Sequence, residues 1–202
     1  MKIERIVQGC LESNCYIIYH NEGGECYIID PGYNAAKIIK HIESKNLKPK
    51  GILLTHMHHD HVGAVHGIQA KFDVPTYMHA QDAQEYKGHI DVLLYGGEEL
   101  DLEGETIKIL HTPGHSHGSI CIMCEESKAC FTGDTIFDID LGRTDLNCGS
   151  QKEMEDSIRN VISKWDNSIT IYPGHDVSAT MKQVRKYNTE YLAIMQGAGD
   201  GN

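Results

Sequence analysis

The sequence has no long apolar run and little positive charge. No stretch approaches the ~20 apolar residues of a membrane-spanning helix, and residues 1–5 lack the apolar segment of a signal peptide. We therefore predict a cytoplasmic protein that does not enter a membrane. Lysine and arginine number 18 against 29 aspartate and glutamate residues, a formal net charge of −11. This charge repels phosphate backbones, so we expect a small-molecule substrate and no nucleic acid.

The chain also lacks a low-complexity linker and a sequence repeat. We predict one domain over 1–196 and a flexible C-terminal tail over 197–202. Apolar periodicity predicts two similar series of strands and helices, which favours an α/β four-layer αββα sandwich with the helices outside. The predicted strands are 3–7, 15–19, 26–29, 51–55, 75–78, 106–110, 119–124, 129–132 and 169–172. The predicted helices are 35–44, 62–70, 80–86, 150–165 and 178–195, with loops at 87–101 and 138–149.

Seven cysteines, an odd number, are spread along the chain. Without an export signal, reduced thiols are the expected state. Cys121 and Cys124 form a C-x-x-C pair, but they lie in a predicted strand, where residues three apart point to opposite faces. One metal ion could not easily bind both, so we predict that these two thiols pack in the core.

One short run concentrates side chains that can bind a metal. His56, His58, Asp60 and His61 fall within six residues, directly after the predicted strand 51–55. An affinity tag is a monotonous terminal run, whereas this run is internal, regularly spaced and includes a carboxylate. A loop at the end of a strand can aim several side chains at one point. The run therefore predicts a metal site.

Three more loops place a ligand-type residue just after an apolar strand. They contain His115, Asp134 and His175, and each has a glycine immediately before the candidate ligand. Glycine permits the backbone angles and the close approach that turn a side chain back over a sheet. Four such loops in one chain indicate a shared site.

The combination of H-x-H-x-D-H, P-G-H, T-G-D-T and a second P-G-H resembles the metallo-β-lactamase superfamily, over roughly residues 15–191. The resemblance implies the αββα fold and two divalent metal ions, most typically zinc, with iron or manganese as alternatives. It implies three sets of ligands. His56, His58 and His115 hold the first ion, Asp60, His61 and His175 hold the second, and Asp134 bridges both.

The resemblance also implies roles beyond metal binding. Asp60 and Asp134 would act in catalysis by holding the ions and orienting a bridging hydroxide. Asp30 would hydrogen-bond a ligand or a loop amide, although Asp-Pro-Gly could equally be a simple turn. We expect His117 to border the substrate pocket and His59 to point away from it.

Residues 133–137 and 142–145 are most similar to glyoxalase II and its short relatives, which hydrolyse glutathione thioesters. This similarity implies a dinuclear thioester hydrolase in which Arg143 binds a substrate carboxylate; alternatively, Arg143 pairs with Asp140 or Asp145. Tyrosines that assist in glyoxalase II are replaced by Asp145 and Val177, so glutathione itself is not implied.

Other activities of the same fold stay open. A persulfide dioxygenase would use one iron bound by His56, His115 and Asp134. A lactone or phosphodiester hydrolase would use the two-metal site, and a metal-dependent binding protein is the non-enzyme alternative. A bridging residue like Asp134 is absent from true β-lactamases, which disfavours an antibiotic hydrolase. Nothing in the sequence indicates an oligomeric state.

Overall fold

The computed structural model of the chain describes residues 1–197, and residues 198–202 of the predicted tail lie outside the described part. The strands are β1 Lys2–Gln8, β2 Ser13–Tyr19, β3 Glu25–Ile29, β4 Lys48–Leu53, β5 Thr76–His79, β6 Val92–Leu94, β7 Glu99–Leu102, β8 Glu105–His111, β9 Ile120–Cys124, β10 Ala129–Gly133, β11 Thr170–Pro173 and β12 Ala179–Thr180. The helices are α1 Ala35–Ser44, α2 His59–Val62, α3 Val65–Phe72, α4 Ala80–Glu85, α5 Gln151–Asn160, α6 Met181–Tyr187 and α7 Thr189–Gly197.

The strands form two six-stranded sheets. The first has the order β1-β2-β3-β4-β5-β6, and the second has the order β12-β11-β10-β9-β8-β7. In the first sheet, β3, β4, β5 and β6 are parallel neighbours. A parallel pair needs a crossover connection, and α1 supplies one between β3 and β4. The predicted αββα sandwich is confirmed.

Three apolar layers hold the sandwich together. Strand β2 shows how they arise, because all of it is buried and its side chains alternate between layers. Ile17 faces the layer under α1 and α3, which also contains Ile38 and Ile42 of α1. Tyr16 faces the layer between the sheets, where its ring lies 5.2 Å from that of Phe131. A third layer packs β9, β10 and β11 against α5, α6 and α7.

The C-x-x-C pair behaves as predicted. Cys121 is buried in the layer under α5, whereas Cys124 is buried between the two sheets. All seven cysteines are free thiols. A shared metal ion at this pair is therefore excluded by the strand geometry.

The loop predicted over 87–101 is wrong, because it contains β6 and β7. The short strand β6 ends the first sheet, and β7 ends the second. Between them Gly96 and Gly97 have φ angles of 93° and 101°, a conformation that glycine adopts without strain. The glycine-rich segment is thus the crossover from one sheet to the other.

The prediction of one helix over 62–70 is also wrong. The structure has two helices here, the single turn α2, which ends at Val62, and the longer α3, which begins at Val65. The amide of Ala64 donates to the carbonyl of Pro31 at 2.9 Å, and a Cβ on Gly63 would lie 2.4 Å from the carbonyl oxygen of Gly32. This tertiary contact breaks the helix between its two parts.

The helix predicted over 178–195 consists of β12, α6 and α7. Buried Asn188 separates the two helices: its side chain donates to the carbonyls of Phe137 and Asp140 and accepts from the amide of Tyr191. The helix predicted over 150–165 ends earlier, at Asn160, and a 3-10 turn over Ile162–Lys164 follows. Within residues 1–197, none of the helices combines the length and apolarity required to cross a membrane.

Candidate metal centre

The candidate ligands come together at one edge of the sandwich. Five lie in the loops that follow β4, β8, β10 and β11, and Asp60 and His61 lie in the single turn α2 that follows the loop after β4. The first group consists of His56, His58 and His115, whose facing nitrogens all lie within 4.8 Å of one another. His58 Nδ1 is 2.8 Å from His115 Nε2. The sequence-predicted first set of ligands therefore converges in the structure.

The second group consists of Asp60, His61 and His175, also within 4.8 Å of one another. Asp60 Oδ2 is 3.3 Å from His61 Nε2 and 3.2 Å from His175 Nε2. Asp134 lies between the groups, because its Oδ2 is 3.5 Å from both His115 Nε2 and His175 Nε2. Asp134 is thus within reach of both groups, and its bridging of two ions stays a prediction.

Several of the converging atoms make no hydrogen bond within the protein. His56 Nε2, His61 Nε2 and Asp134 Oδ1 are buried without a hydrogen bond. An unsatisfied buried polar atom costs roughly 1–3 kcal/mol, so native proteins rarely leave several of them side by side. Imidazole nitrogens and carboxylate oxygens are the donors that Zn²⁺ prefers. The donor set thus fits divalent metal ions.

The opposite ring nitrogens of four histidines are held by hydrogen-bond partners. Nδ1 of His115 contacts the carbonyl of Arg143 at 2.8 Å, and Nδ1 of His175 contacts the carbonyl of Leu11 at 3.0 Å. Nδ1 of His56 lies 3.0 Å from Thr55 Oγ1. Such partners fix the ring orientation and leave Nε2 free to bind a metal. His58 differs, since its Nδ1 faces the centre.

Asp30 provides the partner of the fourth histidine. Its Oδ2 is 3.1 Å from His61 Nδ1 and accepts from Thr55 Oγ1, and its Oδ1 accepts from the amide of Thr55 at 2.7 Å. These contacts join the end of β3 to the histidine run. They are the kind of contact expected for Asp30, and both of its oxygens take part in them.

The electrostatics favour neutral imidazoles in the first group. Burial, reinforced by the neighbouring histidines, lowers the pKa of His56 well below its ordinary value, and burial likewise lowers the pKa of His58. In the second group the neighbouring carboxylates have the larger effect on the histidine pKa. Burial alone would lower the pKa of His61, but Asp134, Asp30 and Asp60 outweigh it and raise that pKa. Cations would therefore replace protons in the second group.

Glycine is required beside the centre at Gly174. A Cβ at this position would lie 2.1 Å from Asp134 Oδ1 and 2.7 Å from His61 Cε1. Real Cβ atoms essentially never approach that closely. The glycine before His175 thus lets the chain pass directly against two candidate ligands.

Sequence reasoning missed Asp82, which is buried on α4. Its Oδ2 accepts from the amide of Met57 at 2.9 Å and from Ser116 Oγ at 2.7 Å, and its Oδ1 accepts from the amide of Gly118 at 2.6 Å. One carboxylate thus links the histidine run to the loop of His115. No sequence motif marks this role, and Asp82 is the one buried residue of a helix whose other side chains are exposed or half-buried.

The remaining candidates lie outside the cluster. His117 Nδ1 pairs with Glu153 Oε2 at 2.8 Å, and the side chain of His59 is 79% exposed and turned outward, as expected. Arg143 forms a bidentate pair with Asp145, at 2.7 Å and 2.9 Å. Pairing with Asp145 is the second of the two roles that the sequence left open for Arg143, the first being to bind a substrate carboxylate. Arg143 lines a cavity of about 690 Å³ between α5 and α7 that contains none of the seven candidate ligands.

Comparisons with known proteins bear on this site. A family model described as "Metallo-beta-lactamase superfamily" matches residues 8–185, a range that includes all seven candidate ligands. Hydroxyacylglutathione hydrolase GloC of Haemophilus influenzae is 34% identical over 206 residues, covering 93% of this chain and 97% of that protein. The crystal structure of BLEG-1, described as a B3 metallo-beta-lactamase, is 30% identical with a TM-score of 0.88, covering 93% of this chain and 98% of that one. TTHA1623, solved in a di-iron-bound form, is 30% identical with a TM-score of 0.80, covering 92% and 98%.

Proposed function

The chain belongs to the metallo-β-lactamase superfamily, and we propose that it is a hydrolase that uses two divalent metal ions, zinc foremost, to cleave thioesters. One observation carries the proposal. The seven ligand-type side chains converge, and the inward atoms His56 Nε2, His61 Nε2 and Asp134 Oδ1 are buried without a hydrogen bond. Atoms of this type, left unpartnered in this number, are expected where ions bind.

The protein side chains would divide the work between holding ions and orienting groups. His56, His58 and His115 would hold one ion. Asp60, His61 and His175 would hold the other. When bound, two divalent cations would polarise the substrate carbonyl and activate water for attack.

Two carboxylates supply the rest of the chemistry on the protein side. Asp134, which lies between the two groups, would help to hold both ions and would accept a hydrogen bond from the attacking water. Asp30 keeps His61 in the orientation that presents Nε2 to the centre. A thiolate leaving group is a weak base, so a thioester needs little general-acid assistance. This suits a centre in which His117 is engaged with Glu153 rather than turned toward the ligands.

Two considerations support thioesters over other substrates. Residues 133–137 and 142–145 resemble glyoxalase II, and the relative GloC of Haemophilus influenzae is named a hydroxyacylglutathione hydrolase. The similarity to BLEG-1, described as a B3 metallo-beta-lactamase, makes β-lactams a necessary comparison in any assay. The persulfide dioxygenase stays an alternative, since the triad of His56, His115 and Asp134 is also present.

The test combines metal analysis with a substrate panel. The purified protein is stripped with a chelator and reloaded separately with zinc, iron or manganese. It is then assayed with hydroxyacyl and simple acyl thioesters, lactones, phosphodiesters, a β-lactam and, in an oxygen electrode, a persulfide. We expect two ions per chain and turnover of thioesters above the other classes. One iron per chain with oxygen uptake would contradict the proposal and support the dioxygenase.

Matched variants come from the histidine run itself. His61→Ala should lose one ion and most of the activity, because His61 is fully buried in the second group. His59→Ala, two residues earlier and exposed, should keep both. Equal losses in the two variants would contradict the assignment of ligands.

A further inference from the structure

A second cavity opens beside the candidate metal centre. It has a volume of about 520 Å³ and includes His175, one of the seven candidate ligands. Its other walls come from β1, from the loop between β1 and β2, and from the residues after His175. They are Arg5, Val7, Leu11, Glu12, Asp176 and Val177. A molecule whose reacting bond lay at the metal centre could therefore extend into this cavity.

Three of the side chains that line the cavity are apolar and exposed. Val7 is 42% exposed, Leu11 50% and Val177 54%. Within residues 1–197 nine large apolar side chains are exposed, and three of them lie here. Scattered exposed apolar residues are normal, but a cluster beside a polar site is typical of a ligand pocket.

One cation of this cavity is held in position. Arg5 Nε donates to Asn14 Oδ1 at 2.7 Å. The amide group of Asn14 donates in turn to the carbonyls of Pro173 and Asp176, at 2.9 Å and 3.1 Å. The guanidinium is thus fixed relative to the loop that carries His175.

The two terminal nitrogens of Arg5 differ from those of the other arginines. Within the described part of the chain, Arg143 and Arg159 pair with carboxylates, and Arg185 donates to an amide and to carbonyl oxygens. Among residues 1–197, no carboxylate lies within 4.0 Å of the Arg5 guanidinium. Of its three nitrogens, only Nε donates a hydrogen bond within this part of the chain. Its terminal nitrogens remain available for an anion, and a carboxylate fits the guanidinium edge well.

The same cavity is unsuited to a polyanion. The carboxylates of Glu12 and Asp176 also line it, so its acidic groups outnumber its single arginine. Several phosphates would meet repulsion from both acidic side chains, whereas a single carboxylate brings only one negative charge, which Arg5 can neutralise. The charges therefore favour a singly anionic terminus over a thiol carrier that bears phosphates.

We propose that this cavity is the specificity subsite of the enzyme, and that Arg5 binds the terminal carboxylate of a thioester whose adjoining chain packs on Val7, Leu11 and Val177. The proposal rests on the proposed thioesterase function. Leu11 has two roles in it: its carbonyl orients His175, and its side chain contacts substrate.

The test uses pairs of thioesters that differ only at one end. One pair carries a carboxylate or a neutral carboxamide at the end of the acyl chain, and a second pair carries it at the end of the thiol. KM and kcat are measured for the zinc-loaded wild type, Arg5→Gln and the control Lys40→Gln, which removes an exposed cation from α1. For at least one pair the wild type should favour the carboxylate by about tenfold in KM, the usual worth of one charge-assisted contact.

Arg5→Gln should abolish that preference, whereas Lys40→Gln should keep it. Leu11→Ser should raise KM for both members of the pair at unchanged zinc content, because the main-chain carbonyl that holds His175 remains. A wild type without preference in either pair, or a preference that survives in Arg5→Gln, would overturn the subsite. A thioester of a phosphate-bearing carrier that is preferred over both pairs would also overturn it.

Binding separates failure of the subsite from failure of the proposed function. Thioether analogues of the same pairs cannot be hydrolysed, and their dissociation constants are measured by calorimetry. If no thioester is cleaved but the carboxylate analogue binds about tenfold tighter and loses that advantage in Arg5→Gln, the subsite stands and the thioesterase proposal fails. If thioesters are cleaved but the carboxylate and carboxamide analogues bind equally, the thioesterase proposal stands and the subsite fails.

Discussion

Replacing Asp82 by asparagine should loosen the candidate metal centre without touching any candidate ligand. Asparagine keeps the size of the side chain and the oxygen that accepts from Gly118, but it puts an NH₂ group where Oδ2 now accepts from Met57 and Ser116. The serine hydroxyl can rotate to accept from that group, whereas the amide of Met57 is left facing another donor. Met57 lies between the candidate ligands His56 and His58, so the lost contact falls within the histidine run.

The magnitude follows from these contacts. An unpaired buried amide costs roughly 1–3 kcal/mol, and the loss of a charged acceptor adds to it, so the free energy of unfolding should fall by about 2–4 kcal/mol. Loss of groups that position metal ligands usually weakens metal binding by about 10- to 100-fold. We therefore expect Asp82→Asn to fold but to bind zinc at least about tenfold more weakly.

Glu105→Gln is the matched control. Glu105 is buried to a similar degree. Where Asp82 accepts from two amides and one serine hydroxyl, Glu105 accepts from one amide and one serine hydroxyl, both of Ser127 in the turn between β9 and β10, and lies 3.4 Å from His20 Nε2. It touches none of the candidate ligand loops. Urea unfolding of the metal-free proteins and competition with a chromophoric chelator measure the two effects separately. If both variants lose stability alike and both bind zinc like the wild type, the positioning role of Asp82 is refuted.

Three further outcomes are expected. Gly174→Ala should reduce the bound metal below two ions per chain, because the new Cβ would collide with Asp134; elemental analysis measures the loss. In the native protein a thiol reagent should modify two thiols, the exposed Cys10 quickly and the half-buried Cys148 more slowly. Burial raises the pKa of both Cys26 and Cys124 to about 12, which keeps them unreactive. After unfolding, all seven thiols should react. Glu4→Gln should be less stable than the wild type near neutral pH, and the difference should shrink as the pH falls below about 4.5, the ordinary glutamate pKa; urea melts across the acid range test this.

The sign of the last effect follows from the surroundings of Glu4. Burial would raise the pKa of this carboxyl, but hydrogen bonds from Tyr19 and Lys45 outweigh it and lower the pKa. The stabilisation is therefore present above the unfolded-state pKa and is lost as the pH falls through the folded-state value. A difference that stays constant from neutral to acid pH would contradict this reasoning. For Gly174→Ala the control is Gly197→Ala, where an added Cβ meets nothing within 4 Å; for the thiols, rapid modification of more than two in the native protein would contradict the burial.

The convergence of the candidate ligands could be predicted because each follows an apolar strand closely, in a short loop or, for Asp60 and His61, in the single turn α2. Strand identity places a loop at a known edge of a sheet, and a glycine beside the ligand marks a close approach. Helix α1 was predicted with its observed bounds, because Ile38 and Ile42 repeat at helical spacing and the segment is not interrupted. Local pattern was sufficient in both cases.

Other features depend on contacts between residues far apart in the chain. The break between α2 and α3 is caused by Pro31 and Gly32, more than 30 residues earlier. The three-residue strand β6 has no periodicity of its own and exists because β5 offers an edge to pair with. Asp82 resembles any acidic helix residue until the two loops that it joins are seen together. No local pattern carries such information.

The main-chain partners of His115 and His175 have a consequence for how this protein can evolve. These imidazoles are anchored by the carbonyl oxygens of Arg143 and Leu11, and every amino acid supplies a carbonyl. Mutation at either position can therefore alter the side chain offered to incoming molecules while the anchor is inherited intact. In proteins descended from this chain, substrate specificity can therefore change while His115 and His175 stay held in the orientation that metal binding requires.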